Sequence, residues 1–148
     1  DGQGAPMARQ MRSLGLTSQL LGGDGIHTAE FMKLAGPAAE GVVASLPGRP
    51  LETLAKGPEF KQRFESQYGK IQLYAPYCYD AMQVLARAMQ RAGSTEPAKG
   101  IPELKKTDYE GITSRIQFDD KGDLKQGSIT VYKAVKGEWQ VLKTVESN

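Results

Sequence analysis

Asp24 stands between glycines in the run Gly22-Gly23-Asp24-Gly25, directly after the short apolar stretch Gln19-Leu20-Leu21. Glycines on both sides of a carboxylate after a short strand hold it where a ligand can approach the backbone closely, and strand ends are where open α/β sheets bind ligands. The same grammar also writes an ordinary Asx-type turn. Tyr74, Tyr77 and Tyr79 gather where a helix is expected to begin. Beside a carboxylate such rings suit a small ligand with an apolar side chain, although tyrosine serves ordinary core and surface packing equally well.

The other reactive side chains are too few to assemble a catalytic centre. His27 is the only histidine, which excludes a multi-histidine metal site and predicts a surface or capping role for its ring. Cys78 is the only cysteine and reads as a buried, unreactive helix residue. Gly2-Gln3-Gly4 lacks the third glycine of a dinucleotide fingerprint and the Lys-Ser/Thr of a phosphate loop. Asp119-Asp120-Lys121-Gly122-Asp123 lacks the alternating ligands and distal glutamate of a calcium loop, so a β-turn is expected there. No catalytic residue, metal ligand or cofactor is expected, and the chain reads as a binding protein rather than an enzyme.

Composition agrees with a folded binding domain. The chain has 148 residues, 39% hydrophobic and 24% charged, enough for one substantial core. Its net charge of +2 is dispersed, with Lys and Arg interleaved among Asp and Glu, so no nucleic-acid footprint is expected. No apolar run approaches the roughly 20 residues of a membrane-spanning helix. The opening Asp1-Gly2-Gln3-Gly4-Ala5-Pro6 reads as a loop entering a helix, which predicts a start within a longer protein.

The elements that must position Asp24 and the tyrosines follow from periodicity. Pro6, with Met7, Met11 and Leu14 at helical spacing and Gly15 as a stop, predicts a short amphipathic helix. Thr28 is expected to cap a helix through about Ala35, and Gly41 to Leu46 reads as a buried strand closed by Pro47. Pro47-Gly48-Arg49-Pro50 is the best internal crossover. A helix opens at Pro58 with Phe60 and Phe64 on one face. The longest spans about 75 to 92, with Met82, Leu85, Ala86 and Met89 as its apolar stripe and Gly93 as its stop. Thr95 is expected to cap the next helix, which Pro102 should bend or divide. Beyond Thr107 strands dominate, and Ser128 to Val135 and Trp139 to Val145 should form a hairpin about Lys136-Gly137-Glu138. An α/β front with a β-rich C-terminal tail predicts a layered α/β architecture.

Taken in order, Ala5-Pro6-Met7, Leu21-Gly22-Gly23-Asp24-Gly25, Ala39-Glu40-Gly41-Val42, Tyr74-Ala75-Pro76-Tyr77-Cys78-Tyr79-Asp80-Ala81, Ala92-Gly93-Ser94-Thr95, Thr107-Asp108-Tyr109-Glu110-Gly111 and Ile116-Gln117-Phe118-Asp119 resemble the C-terminal half of the leucine/isoleucine/valine-binding receptors of ABC importers. The resemblance covers nearly the whole chain. It implies the periplasmic binding protein type I fold, in which two three-layer α/β/α lobes joined by a hinge close on one ligand, here present as a partial fragment without its N-terminal half. Residues 1–46 would belong to the second lobe and 47–127 to the first, with the crossover near 47–50, and 128–148 would supply hinge and closing strands. By the same resemblance Asp24, flanked by Gly23 and Gly25, would pair with the ligand's α-ammonium, and Tyr74 would line the side-chain pocket. The implied partners are an amino acid and the membrane subunits of an ABC permease. The implied location is the periplasm, or an extracytoplasmic face reached through a lipid anchor. A ligand-sensing domain of a receptor or regulator with the same fold is the alternative. Unpaired strands in such a fragment are expected to invite dimerisation or domain swapping.

Overall fold

Thr28 has a hydroxyl that can satisfy one of the orphan amides of a helix start, and its Oγ1 accepts a hydrogen bond from the Phe31 N–H at 2.9 Å. Similar local rules set most of the chain, whose computed structural model describes residues 1–147. In chain order the elements are α1 (Gly4–Ser13), β1 (Leu21–Gly22), α2 (Ala29–Ala35), β2 (Val43–Pro47), α3 (Gly57–Tyr68), α4 (Ala75–Ala92), α5 (Pro97–Lys105), β3 (Asp108–Glu110), β4 (Arg115–Gln117), β5 (Ser128–Val135) and β6 (Glu138–Glu146). Short 3-10 turns lie at Asp24–Ile26, Gly36–Ala39 and Leu51–Thr53. The chain divides into two units: Asp1–Pro47 with Ser128–Val145, and Gly48–Gly127 with the residues from Glu146.

The first unit is built on a mixed four-stranded sheet in the order β1-β2-β5-β6. β1 runs parallel to β2, with Leu21 opposite Val43, and β2 runs antiparallel to β5, with Ser45 opposite Val131. β5 and β6 are joined through Lys136 and Gly137, both at positive φ, as the tightest hairpin turn demands. Phe31, Met32, Ala35, Ala38, Ala39, Val42 and Ala134 are buried in its core, with Trp139 and Ile26 packed against them. The buried face of α1 is Ala5 and Ala8, whereas Met7 and Leu14 are exposed, so the small residues and not the expected Met-Leu stripe dock this helix.

The second unit holds α3, α4, α5 and the two-stranded antiparallel β3-β4 sheet. α4 ends at Gly93 in the left-handed conformation, as expected. Its buried column, however, is Pro76, Asp80, Val84 and Ala88, and Met82 is 63% exposed. Helical spacing puts two apolar columns on this helix, and the unit uses the one that carries a carboxylate. Pro102 lies inside α5, which runs unbroken from Pro97 to Lys105. The N-cap of α5 is Glu96, without a side-chain cap, and Pro97 follows as the first helical residue, so Thr95 does not cap this helix; Ser94 Oγ accepts from the Glu96 N–H at 3.1 Å in the turn before it. Cys78 is exposed, contrary to its expected burial.

Candidate functional site

Asp24 opens a single 3-10 turn directly beyond the C-terminal end of β1. That turn is seated from below by Ile26, which fills the space where a side chain at position 22 would stand: a Cβ on Gly22 would lie 2.5 Å from Ile26 Cδ1. A side chain at position 22 would therefore displace the tip of Ile26. Around Gly23 and Gly25 no atom lies within 4 Å of an added Cβ, so space is open on both sides of the half-buried Asp24. Its carboxylate accepts from the N–H of the adjacent Gly25 at 3.1 Å, not from the amide two residues on that an Asx-type turn would use. The backbone amides of Ile26 and His27 close the turn onto the carbonyls of Gly23 and Asp24, at 3.3 and 3.0 Å.

Behind the turn lies an aromatic stack. The His27 ring centroid is 4.2 Å from that of Tyr132 on β5 and 4.8 Å from that of Trp139 on β6, and Phe31 meets the same indole at 5.8 Å. Trp139 Nε1 donates to the Thr28 carbonyl at 3.2 Å, tying β6 to the segment that follows the turn. Both ring nitrogens of His27 are buried without a hydrogen-bond partner among the described residues. Burial holds its pKa below the usual imidazole value; an interaction with its own backbone, short of hydrogen-bond geometry, opposes this only in part. The expected surface or capping role for His27 is thus replaced by a wedge role inside unit one.

Tyr74 is in the other unit, as the residue preceding α4, and is 45% exposed; its carbonyl accepts from the Cys78 N–H at 2.9 Å. Tyr77 is placed by Gly48, whose φ is +81° and whose added Cβ would stand 2.2 Å from the phenol oxygen. Tyr79 joins Phe60 across the α3–α4 groove, with ring centroids 5.5 Å apart. That groove, of about 820 Å³, is lined by Phe60, Phe64, Tyr79, Met82, Tyr109 and Ile112 within unit two. Asp24 and the three tyrosines therefore fall in two units.

Sequence reasoning missed Asp80. Its carboxylate is 1% exposed and accepts from the amides of Ile112 and Thr113, at 2.9 and 2.8 Å, and from Thr113 Oγ1 at 2.7 Å. It fastens the loop between β3 and β4 to α4. The available signal was an aspartate in register with Pro76, Val84 and Ala88. The Asp119 segment is the expected turn, its carboxylate accepting from the amides of Lys121 and Asp123, each at 2.9 Å. Among the described residues no three His, Cys, Asp or Glu side chains gather as a metal site, and no helix is long and apolar enough to cross a membrane.

The family model described as "Periplasmic binding protein" matches residues 1–138. The chain is 30% identical over 131 residues to a leucine-, isoleucine-, valine-, threonine- and alanine-binding protein of Pseudomonas aeruginosa, covering 86% of this chain and 34% of that one. Among solved structures it is similar to a leucine-binding protein from Thermotoga maritima, with a TM-score of 0.81 and 29% identity over 95% of this chain and 41% of that one. It is also similar to an ABC transporter substrate-binding protein from Desulfitobacterium hafniense in complex with leucine, with a TM-score of 0.72 and 25% identity over 95% and 40% of the two chains. The chain thus spans about a third of the length of the curated relatives it matches.

Proposed function

The chain belongs to the periplasmic binding protein family, and from that premise we propose that it supplies the C-terminal part of an extracytoplasmic receptor for branched-chain or related amino acids. The receptor delivers its ligand to the membrane subunits of an ABC importer from the periplasm or an equivalent lipid-anchored position. In this reading residues 1–46 serve the second lobe, 47–127 the first, and 128–148 the hinge and closing strands. Asp24 pairs with the α-ammonium of the ligand, the open backbone at Gly23 and Gly25 admits it, and Tyr74 covers its aliphatic side chain.

The observation that carries the reading is the half-buried carboxylate on a tightly closed turn at a strand end, with open space on both flanks. A charge-assisted hydrogen bond from an ammonium is strong where lobe closure excludes water, and a phenol ring buries aliphatic surface well. The names of the relatives support the ligand class, and the exposed ring of Tyr74 at the start of α4 suits a lid over a side chain.

The deciding experiment is calorimetric titration of leucine, isoleucine and valine into a protein that carries, with this chain, the remaining length of its relatives. Binding in the micromolar range or tighter supports the receptor. Silence across the panel removes the ligand class.

A further inference from the structure

Deepening the receptor reading, on which it rests, we propose that neutral His27 is a positioning residue for the Asp24 turn, and that its protonation in mildly acidic medium opens the turn and releases the ligand's ammonium. The ring is a wedge between Tyr132 and Trp139, while its own backbone amide is the donor that closes the turn onto the Asp24 carbonyl. Ring and amide belong to one residue, so a backbone shift that carries the ring out of the stack pulls on that 3.0 Å bond. The segment is tied on its far side by the Trp139 indole, which donates to the carbonyl of Thr28, the residue after His27.

What makes this a switch is the absence of acceptors. An imidazolium has two N–H donors, and in the stack neither nitrogen has a partner among the described residues. Ring faces attract a cation, but two buried donors left without acceptors outweigh that attraction. The ionisable groups on the surrounding elements do not relieve it. Asp24 lies on the turn itself, Asp1 is engaged by the Thr28 hydroxyl at 2.6 Å, Glu30 on α2 and Glu138 on β6 are exposed, and β5 brings Tyr132 and Lys133. None of these charges contributes to the displacement of its titration, which is dominated by burial. The packed state therefore binds the proton less readily than the opened one, so the turn is held fully above the ordinary imidazole value near 6.5 and is lost as pH falls below it.

The histidine is unique in the chain, so its imidazole resonances need no assignment. Titration of this chain by NMR should show a midpoint clearly below about 6.5. The amides of Ile26, His27 and Thr28, corrected for intrinsic rates, should exchange at least about tenfold faster near pH 5 than near pH 7.5, with the β2–β5 ladder amides unchanged. His27→Phe, which keeps the wedge and cannot take a proton, should make that protection independent of pH. An ordinary midpoint, or an equal acid loss in His27→Phe, overturns the proposal; should the variant fail to fold, the wild-type titration and exchange decide it alone. In the longer protein, leucine affinity should fall about tenfold over the same interval only when His27 is present. A flat affinity profile with a titrating His27 overturns the coupling. Absence of leucine binding at every pH defeats the receptor reading instead, and the exchange data then judge the turn.

Discussion

Asp80 shows how much one side chain can fix. Its buried carboxylate gathers three donors from Ile112 and Thr113, and a Cβ on Gly111 would stand 2.6 Å from its Oδ2, so the loop can only close because residue 111 has none. Asp80→Asn keeps the shape but turns an amide group toward a donor, which costs about 2–3 kcal/mol. Hydrogen exchange at the Ile112 and Thr113 amides should accelerate by roughly 30- to 150-fold in that variant, with unit one unaffected. Asp24→Ala belongs to the same scale. It leaves the turn's backbone bonds in place but removes the proposed partner of the ammonium, so amino acid affinity in the longer protein should drop by about 100-fold or more, read by calorimetry. Among these, the turn at Asp24 was legible in the sequence because glycines bracket it. Asp80 was not, because helical spacing marks apolar positions, and a carboxylate among them looks like an interruption until its donors, over 30 residues away, are in view. The His27 stack was equally hidden, since residues 27, 132 and 139 meet only once β5 and β6 are in the sheet.

Elements were legible wherever a local rule fixed them. Thr28 before an apolar stretch, Gly93 after a long helix and Lys136-Gly137 between two β-rich runs each solve a backbone problem within a few residues, and each sits where expected. Which face of a helix is buried is not a local question, and there periodicity misled: α1 docks through alanines and α4 through the column of Asp80. The hairpin yields a prediction at this scale. Lys136 holds φ at +52° although it has a Cβ, and its N–H donates to Glu40 Oε2 at 2.8 Å. Lys136→Asn keeps that N–H and tolerates the left-handed region better, so it should stabilise unit one by about 0.5–1 kcal/mol, seen as a higher thermal midpoint by Trp139 fluorescence. Thr28→Ala acts in the opposite direction. Loss of the cap to Phe31 costs about 1 kcal/mol, and Thr28→Ser should restore most of it.

At the scale of the molecule, the order of motifs along the chain conveyed the family, because a fold constrains many short segments at once even when none is diagnostic alone. What motif order does not convey is which surfaces this stretch of the family leaves uncovered. β6 is the outer strand of the four-stranded sheet, nine residues long, with Val141, Leu142 and Val145 all more than half exposed. An edge of that length with apolar side chains on both faces is a template for pairing, and the single lysine between Leu142 and Thr144 blunts it little. The chain taken alone should therefore self-associate, by edge pairing or by exchange of the β5–β6 hairpin, and light scattering should show a mass that rises with concentration. Leu142→Lys places a second charge at the centre of the edge and should return the chain to a monomer without lowering its thermal midpoint, because that side chain is solvated in the folded unit. A protein carrying the remaining length of the relatives should be monomeric without any substitution. Association that survives Leu142→Lys would move the contact away from β6, and the apolar column of Met82 and Leu85 on α4 would then be the surface to charge next.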